Sequence, residues 1–177
     1  MSTKKVLVIG AGFLQTYVIK RAKELGYYTY AVDGSASASG FQYADEHAVI
    51  NIVDQNACLA YAQEKQVDGV LTAATDYGVL TASHIAKMMN LSAINYDVAK
   101  VIKNKYQVRK ALFEAHADDT GQAYEVSCEE DIETVQGNVK FPVMVKPCDG
   151  SGSRGASKVE DVEDFALACR EAMNCSF

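Results

Sequence analysis

The sequence predicts an α/β protein: a doubly wound parallel sheet followed by a smaller, incomplete α+β unit. Short apolar runs such as residues 5–9 and 68–72 alternate with segments whose apolar residues recur at helical spacing. The connections between these segments are short, and strands that alternate with helices in this way form a parallel sheet covered on both faces. A change of rhythm after about residue 95 predicts the second unit.

The elements of the first half follow from this alternation. The strands are predicted at Lys5–Ile9, Tyr28–Val32, Ala48–Ile52 and Asp68–Thr72. The residues predicted to face the core are Leu14, Val18, Ala22 and Leu25 in the first helix, Cys58 and Ala62 in the second, and Val79, Ala82, Ala86 and Met89 in the third. Gly26 is expected to end the first helix and Asp54 to cap the second. The run Ser35–Gly40 is predicted to be a mobile surface loop.

We expect a domain boundary near residue 96, with the sheet in residues 1–96 and an incomplete subdomain in residues 97–177. The elements predicted for the second part are helices at Asp97–Ile102 and Lys105–Ala115, a turn at Asp118–Gly121, a strand near Ala123–Val126, a helix near Cys128–Val135, a hairpin over Phe141–Val159 and a helix near Val162–Met173. The second of these helices carries its apolar residues on one face, which is expected to be Val108, Ala111, Leu112 and Ala115. These strands are too few for a sheet of normal width, so unpaired edges and exposed apolar surface are expected.

Composition and charge exclude several function classes. The chain has 177 residues and a net charge of −6, which argues against a general nucleic-acid-binding protein. No run approaches the roughly 20 apolar residues of a membrane span, and no signal-peptide pattern precedes the first strand. The five cysteines form no CxxC pair and no metal-ligand spacing with the three histidines. We therefore expect a cytoplasmic protein with free thiols and no nucleic-acid or membrane partner.

A loop of small residues between two predicted strands has the composition of a phosphate-binding flap. A β-branched run ends at Lys146, and residues 147–156 include three glycines and Arg154. Glycines let backbone N–H groups approach an anion closely, while the two cations supply positive charge. The loop is not a Walker A motif, because no Gly-Lys-Ser/Thr follows and no helix opens directly after it. The alternative is a plain hairpin turn, which Gly and Ser also favour. Cys148 lies inside this loop and is expected to be exposed.

This loop and three other segments resemble the ATP-grasp superfamily of carboxylate–amine ligases. The resemblance is to the branch that contains biotin carboxylase, the carbamoyl phosphate synthetase large subunit, and enzymes acting on glycinamide and aminoimidazole ribonucleotides. The other segments are Val6–Gln15, Thr75–Lys87 and Asn104–Leu112. Each motif is weak alone, but their order and spacing together are specific, and they run along nearly the whole chain.

The resemblance implies ATP as the nucleotide. Lys105 and Lys146 match the two phosphate-binding lysines of the family, and residues 151–155 match the flap over the β- and γ-phosphates. For Lys105, which shares its helix with Arg109 and Lys110, the alternative is a solvated charged face. The implied ATP-binding residues are Lys105, Lys146, Ser151, Gly152, Ser153, Arg154 and Gly155.

A second set of residues is implied for the substrate: Gly12, Phe13, Thr75 and Asp76. Ligands of open α/β sheets bind beyond the carboxyl ends of the strands, and in the family the glycine turn there faces the substrate cleft. Thr and Asp are also preferred helix N-caps, so a structural role for Thr75 and Asp76 stays open. Phe13 stands where the purine enzymes have a polar Gln or Glu, which argues against a glycinamide or aminoimidazole ribonucleotide substrate.

The resemblance also implies what this chain lacks. The family holds two Mg²⁺ ions with acidic and amide side chains beyond the position of Phe177, so no catalytic residue and no metal ligand is assigned here. Without those ions phosphoryl transfer loses its main electrostatic stabilisation, and the chain alone is expected to be inactive, either a truncated piece or one half of a split enzyme. The complete enzyme would use ATP to convert a carboxylate into an acyl phosphate that an amine attacks. The implied partners are ATP, a small carboxylate or amine, and a second copy of the chain or a missing C-terminal half.

Two other functions remain open from the residues. Gly10-Ala-Gly12 begins a dinucleotide fingerprint, and Asp33 at the end of the second strand could hold a ribose hydroxyl of NAD or FAD. Gln15 stands where the third glycine of that fingerprint would lie, and a lone G-x-G is more often a tight turn. The remaining alternative is a non-catalytic nucleotide-binding module that acts through a partner chain.

Overall fold

A computed structural model describes residues 2–117, 123–150 and 152–176. The chain divides into two compact units, Met1–Lys100 and Val101–Phe177. The predicted turn at residues 118–121 and the predicted ATP-binding residue Ser151 lie outside the described residues.

The first unit contains a four-stranded parallel sheet, as predicted. Its strands are β1 (Lys5–Ile9), β2 (Tyr28–Asp33), β3 (Glu46–Val49) and β4 (Gly69–Thr72). Their order is β3-β2-β1-β4, and every neighbouring pair is parallel. The strand β3 lies nearer the N-terminus than the predicted range Ala48–Ile52. Ile50 and Ile52 are apolar because they pack against the core beyond the strand end, and the ladder with β2 begins at Glu46 instead.

Helices cover both faces of this sheet, which confirms the doubly wound arrangement. The helices are α1 (Gln15–Glu24), α2 (Gln55–Lys65) and α3 (Tyr77–Met89), and a single 3₁₀ turn spans Phe41–Tyr43. Leu7 and Ile9 of β1 pack with Cys58 of α2 on one face of the sheet. Val8, between them, packs with Ile19 of α1 on the other face. Successive strand residues therefore alternate between two cores, as the period of a strand requires.

Helix α1 ends at the predicted glycine. Gly26 has a φ of +83°, a left-handed conformation that a residue without Cβ adopts at little cost. Its N–H donates to the Lys23 carbonyl at 2.8 Å, and the Tyr27 N–H donates to the Ala22 carbonyl at 3.1 Å. These two bonds are the Schellman pattern, which satisfies carbonyls at the helix end and reverses the chain into β2.

The predicted core face of α1 was wrong at both ends of the helix. Leu14 and Leu25 are 54% and 59% exposed. The buried residues are Gln15, Thr16, Ile19 and Ala22. The helix is rotated relative to the apolar pattern, because the polar Gln15 side chain is drawn inward to a backbone partner outside the helix.

The loop after β2, predicted to be mobile, is anchored to the turn that follows β1. The Gly40 N–H donates to the Ala11 carbonyl at 2.6 Å, and the Ser35 N–H donates to Asp33 Oδ1 at 2.9 Å. A Cβ atom at Gly40 would lie 2.7 Å from the Ala11 carbonyl oxygen. Only glycine permits this approach. The loop is therefore held against the turn that follows β1, at the carboxyl edge of the sheet.

The remaining elements are short. They are helices α4 (Tyr96–Lys103), α5 (Lys105–Glu114), α6 (Glu129–Gln136) and α7 (Phe165–Asn174), and strands β5 (Val143–Val145) and β6 (Ser157–Val159). The two strands form an antiparallel hairpin, as predicted. No strand is assigned at residues 123–126, so the strand predicted there was wrong. Helices α6 and α7 pack on the hairpin in a small core that includes Ile132, Val159 and Phe165.

The apolar face predicted for α5 has no cover within the described residues. None of the α5 residues is buried, and Leu112 and Phe113 are 39% and 59% exposed. Met144 of β5 and Leu167 of α7 are also more than half exposed. The second unit therefore presents apolar surface, as its short hairpin led us to expect. Among the helices built by the described residues, none combines the length and apolar character that a membrane crossing requires.

We expect Gly78→Ala to destabilise the first unit. Gly78 is a buried residue of α3, and a Cβ atom there would collide with Thr72 Oγ1 and lie 3.2 Å from Ile9 Cγ2. The Thr72 hydroxyl cannot move aside freely, because it donates to the Ile9 carbonyl at 2.8 Å. Overpacking of this kind costs about 1–3 kcal/mol, measured as the free energy of unfolding in urea.

Gly34→Ala is the matched control for this substitution. A Cβ atom at Gly34 would meet only the Asn51 Cα, at an ordinary contact distance of 3.7 Å. A loss of stability equal in the two variants would contradict the steric explanation for Gly78.

Candidate functional site

The turn between β1 and α1 is filled by one of its own side chains. Gly10 has a φ of +93°, and its N–H donates to the Val32 carbonyl at 2.8 Å. The Gln15 amide donates to the Ala73 carbonyl in the loop after β4. Gln15 Cγ lies 3.4 Å from the position that a Cβ of Gly10 would occupy. In a dinucleotide-binding turn the third glycine permits close packing of the helix on the strand, whereas here a glutamine side chain occupies this region.

Asp33 is engaged in holding the same turn. Its Oδ2 accepts a hydrogen bond from the Ala11 N–H at 2.8 Å, and its Oδ1 accepts one from the Ser35 N–H at 2.9 Å. Both carboxylate oxygens are therefore used by the backbone of adjoining loops. Together with the buried Gln15, this arrangement favours a structural role over the binding of a ribose hydroxyl.

The loop after β4 brings one predicted substrate residue to the glycine turn. Thr75 is half-buried, and its methyl group lies 3.8 Å from the position of a Cβ at Gly10. Asp76 is exposed and directly precedes α3, but its side chain makes no capping hydrogen bond to that helix. Ala74, which lies between β4 and Thr75, has a φ of +54°, a conformation that is strained for a residue with a Cβ. The Asp76 side chain therefore does not cap α3, which is the structural role that the sequence left open for it.

The other predicted substrate residues, Gly12 and Phe13, lie in the turn between β1 and α1. Phe13 directly follows Gly12 and is 69% exposed. Its ring lies edge-on to that of Tyr17, with 5.8 Å between ring centroids. A large apolar side chain therefore stands at the carboxyl edge of the sheet, where the sequence predicts substrate.

In the second unit the flap connects the two strands of the hairpin. Val145 pairs with Ser157, and residues 146–156 form the connection. Lys146 directly follows β5 with an exposed side chain. At the tip Gly152, Ser153 and Gly155 have φ angles of +68°, +57° and +66°. Anion-binding nests of backbone N–H groups are built from turns that contain left-handed residues, and this loop has several of them.

Lys105 is bound to the base of this flap. It begins α5, where the Asn104 side chain caps the helix by accepting from the Gln107 N–H at 3.0 Å. The backbone N–H of Lys105 donates to the Cys148 carbonyl at 2.8 Å, and its ammonium group donates to the Gly150 carbonyl. The structure thus brings Lys105 to the same loop that contains Lys146, although 41 residues separate the two lysines in the chain.

Sequence reasoning missed a second lysine at this place. The Lys103 ammonium group donates to the Asp149 carbonyl at 2.6 Å. The available signal was the Lys103-Asn104-Lys105 sequence at a break between two helices. Asn104 has an extended backbone with φ −103° and ψ +113°, which lets both neighbouring lysines reach one loop.

The flap base is also packed against the end of α7. A Cβ atom at Gly155 would lie 2.8 Å from Cys175 Cβ and 3.2 Å from Pro147 Cγ. The Ser176 hydroxyl donates to Asp149 Oδ1 at 2.6 Å. Glycine at position 155 is therefore required both by its positive φ and by this contact. The base of the flap is held from two sides, whereas Gly152, Ser153 and Arg154 at its tip are exposed.

The described residues offer no metal centre. Across residues 2–117, 123–150 and 152–176, no group of three or more His, Cys, Asp or Glu side chains is arranged to hold an ion.

Cys148, expected to be exposed, is half-buried. This burial predicts how the reactivity of its thiol changes with pH. Burial, assisted by the Glu125 carboxylate, raises the pKa of the Cys148 thiol above its ordinary value. Burial next to Asp54 raises the pKa of Cys58 to about 11. Since only the thiolate reacts, we expect the alkylation rate of Cys148 in the folded chain to reach half its maximum above about pH 8.5, the ordinary cysteine pKa.

Mass spectrometry after timed alkylation between pH 7 and 10 measures this prediction. The exposed Cys128 is the internal control for reagent access, and the buried Cys58 is expected to react only on unfolding. A half-maximal Cys148 rate at or below about pH 8.5 would be inconsistent with the environment described.

We expect Asp33→Asn to lower the free energy of unfolding by about 1–3 kcal/mol, measured in urea. An asparagine has one carbonyl oxygen, so its NH₂ group would face either the Ala11 or the Ser35 N–H, donor against donor. Asp54→Asn is the control. The Asp54 carboxylate caps α2 by accepting from the Ala57 N–H, a task that Asn performs equally well. Equal stability of Asp33→Asn and the wild type would contradict the structural role of Asp33.

Comparison with known proteins identifies relatives along the whole chain. No protein-family model matches the sequence. The chain is 26% identical over 174 residues to a formate-dependent phosphoribosylglycinamide formyltransferase of Prochlorococcus marinus strain MIT 9515, covering 98% of this chain and 44% of that protein. It is 27% identical over 173 residues to the enzyme of the same name from Bordetella bronchiseptica, covering 95% and 42%.

Solved structures give the same result for the fold. The phosphoribosylglycinamide synthetase of Anaerococcus prevotii matches with a TM-score of 0.70 and 26% identity, covering 98% of this chain and 43% of that one. An N5-carboxyaminoimidazole ribonucleotide synthetase in complex with ADP matches with a TM-score of 0.79 and 17% identity, covering 100% and 48%.

The chain thus spans less than half the length of each of these relatives. They are ATP-grasp ligases, and the parallel sheet with its helices matches their N-terminal domain. The resemblance carried by the glycine turn, the loop after β4, the Lys105 segment and the flap is therefore confirmed. This chain is similar to these ATP-grasp ligases over a stretch that corresponds to their N-terminal part.

Proposed function

We propose that this chain contributes the polyphosphate-binding part of an ATP-dependent carboxylate–amine ligase. The observation that carries the proposal is the bond from the Lys105 ammonium group to the Gly150 carbonyl. It holds a cation at the base of a glycine-rich hairpin loop whose other cations, Lys146 and Arg154, have exposed side chains.

The chemistry of these groups suits a triphosphate. An ammonium group has three donors, and Lys105 directs one of them to Gly150, which leaves others for phosphate oxygens. Lys146 adds a second point charge, and Arg154 adds a planar group that can pair with two oxygens at once. The backbone of Gly152, Ser153 and Gly155 completes the proposed ATP site.

The proposed reaction of the complete enzyme is the phosphorylation of a carboxylate by ATP. The acyl phosphate formed is then attacked by an amine, which releases phosphate and leaves an amide. Mg²⁺ would supply charge neutralisation between the β- and γ-phosphates. The described residues include no acidic cluster suited to that ion, so its ligands are proposed to lie outside them and no step is assigned to it here.

We place the carboxylate or amine substrate at the edge formed by Gly12, Phe13, Thr75 and Asp76. The support is that Thr75 lies beside the glycine turn and that the Asp76 carboxylate is not used to cap α3. The exposed Phe13 ring offers no hydrogen bond to a ribosyl phosphate, so the proposal does not extend to a ribonucleotide substrate. The proposed macromolecular partner is either a second copy of this chain or a segment equivalent to the C-terminal half of the relatives.

The proposal predicts that Lys105→Met and Lys146→Met each weaken the binding of polyphosphate. The loss of one hydrogen bond to a charged phosphate corresponds to roughly a ten- to hundredfold increase in Kd. Calorimetric titration of the 177-residue chain with ATP and Mg²⁺, and with tripolyphosphate, measures it. Lys140→Met, which removes an exposed lysine outside the flap, is the charge-matched control.

Two results would contradict the proposal. One is binding of polyphosphate by the wild-type chain that is no tighter than binding by the Lys105→Met and Lys146→Met variants. The other is tight binding of NAD in the same titration, which would favour the dinucleotide interpretation despite the engaged Asp33 carboxylate.

A further inference from the structure

Two lysines that flank one extended residue bind two consecutive peptide carbonyls of the flap base. Lys103 donates to the Asp149 carbonyl at 2.6 Å, and Lys105 donates to the Gly150 carbonyl. Asn104 between the lysines is itself fixed, because its side chain caps α5. Both side chains are half-buried, so each bond is shielded from water on part of its surface.

The two lysines bind the flap at different positions relative to its exposed tip. The Lys105 ammonium group lies at Gly150, two residues before the exposed tip of the flap begins at Gly152. Lys103 binds one peptide further back, at Asp149, whose carboxylate is also bound by Ser176. Lys103 therefore acts on the fixed base of the flap, and Lys105 acts at the boundary between the base and the tip.

We propose that Lys103 is a positioning residue for the polyphosphate site. It binds the carbonyl of the Asp149–Gly150 peptide and so limits the movement of the next carbonyl, that of Gly150, which accepts from the Lys105 ammonium group proposed to contact phosphate. This inference rests on the proposed function. Lys103 itself does not touch the nucleotide.

The physical reason is that a carbonyl can fix a flexible lysine only if the carbonyl is itself fixed. A lysine side chain has four rotatable bonds, and holding it in one conformation costs entropy. Without the charge-assisted bond from Lys103, the Asp149 carbonyl is no longer held, the adjoining Gly150 carbonyl gains freedom, and the Lys105 ammonium group is held less firmly. Binding a phosphate would then include the cost of ordering both.

The test uses Lys103→Met in the 177-residue chain, with Lys140→Met as control and Lys103→Arg as the conservative replacement. Amide hydrogen exchange without ligand reports on the flap base at residues 148–150 and on the tip at residues 152–155. Calorimetry with ATP and Mg²⁺, and with tripolyphosphate, reports on affinity. Urea unfolding reports on overall stability.

We expect Lys103→Met to speed exchange of the Gly150 amide and to raise the Kd for both probes about tenfold, on the order of one hydrogen bond to a charged group. Because the lost bond is present without ligand, Lys103→Met should also lower the free energy of unfolding relative to Lys140→Met, and Lys103→Arg should recover most of the affinity. A purely structural role would instead speed amide exchange across the second unit, and not mainly at the flap base.

The outcomes separate this inference from the function on which it rests. Wild-type binding with an unchanged Kd in Lys103→Met overturns the positioning role alone, as does unchanged exchange at Gly150. A wild-type chain that binds neither probe overturns both proposals.

Discussion

The contact between the Lys105 ammonium group and the Gly150 carbonyl determines what the second unit can do. It joins the start of α5 to a hairpin loop that is more than 40 residues away in the chain. The Gly150 carbonyl accepts from the Lys105 ammonium group, which has three N–H donors. The contact therefore positions the cation and leaves N–H donors for other acceptors. Lys103 and the end of α7 support the same loop from either side, so the exposed tip extends from a fixed base.

The polar groups of the first unit are used differently. Both oxygens of Asp33 and the amide of Gln15 bind backbone groups at the carboxyl edge of the sheet. The two backbone N–H groups fix the orientation of the Asp33 carboxylate, which favours a structural role for it. The same topology that binds dinucleotides elsewhere is here stabilised by the residues that such a ligand would need, while Thr75 and Asp76 remain at its edge.

The sequence predicted those features that depend on local pattern. The β1 run is apolar throughout because both faces of the strand are covered, and Gly26 ends α1 because the Schellman turn needs a positive φ. The features that the sequence did not predict depend on contacts between residues that are far apart in the chain. Gln15 is buried because of the Ala73 carbonyl, and Lys103 acts on a carbonyl 46 residues away. The apolar face of α5 followed a valid helical pattern, but no described residue covers it.

Net charge imposes a final constraint on the proposed site. The chain carries a charge of −6, so a triphosphate is repelled at long range rather than attracted. Screening at physiological ionic strength limits this repulsion to about 8 Å, and within that distance the local arrangement of groups decides binding. Lysines whose ammonium groups are held before the ligand arrives have a larger effect under these conditions than freely rotating ones. The proposed site therefore depends on the carbonyls of Asp149 and Gly150 as well as on the lysines that bind them.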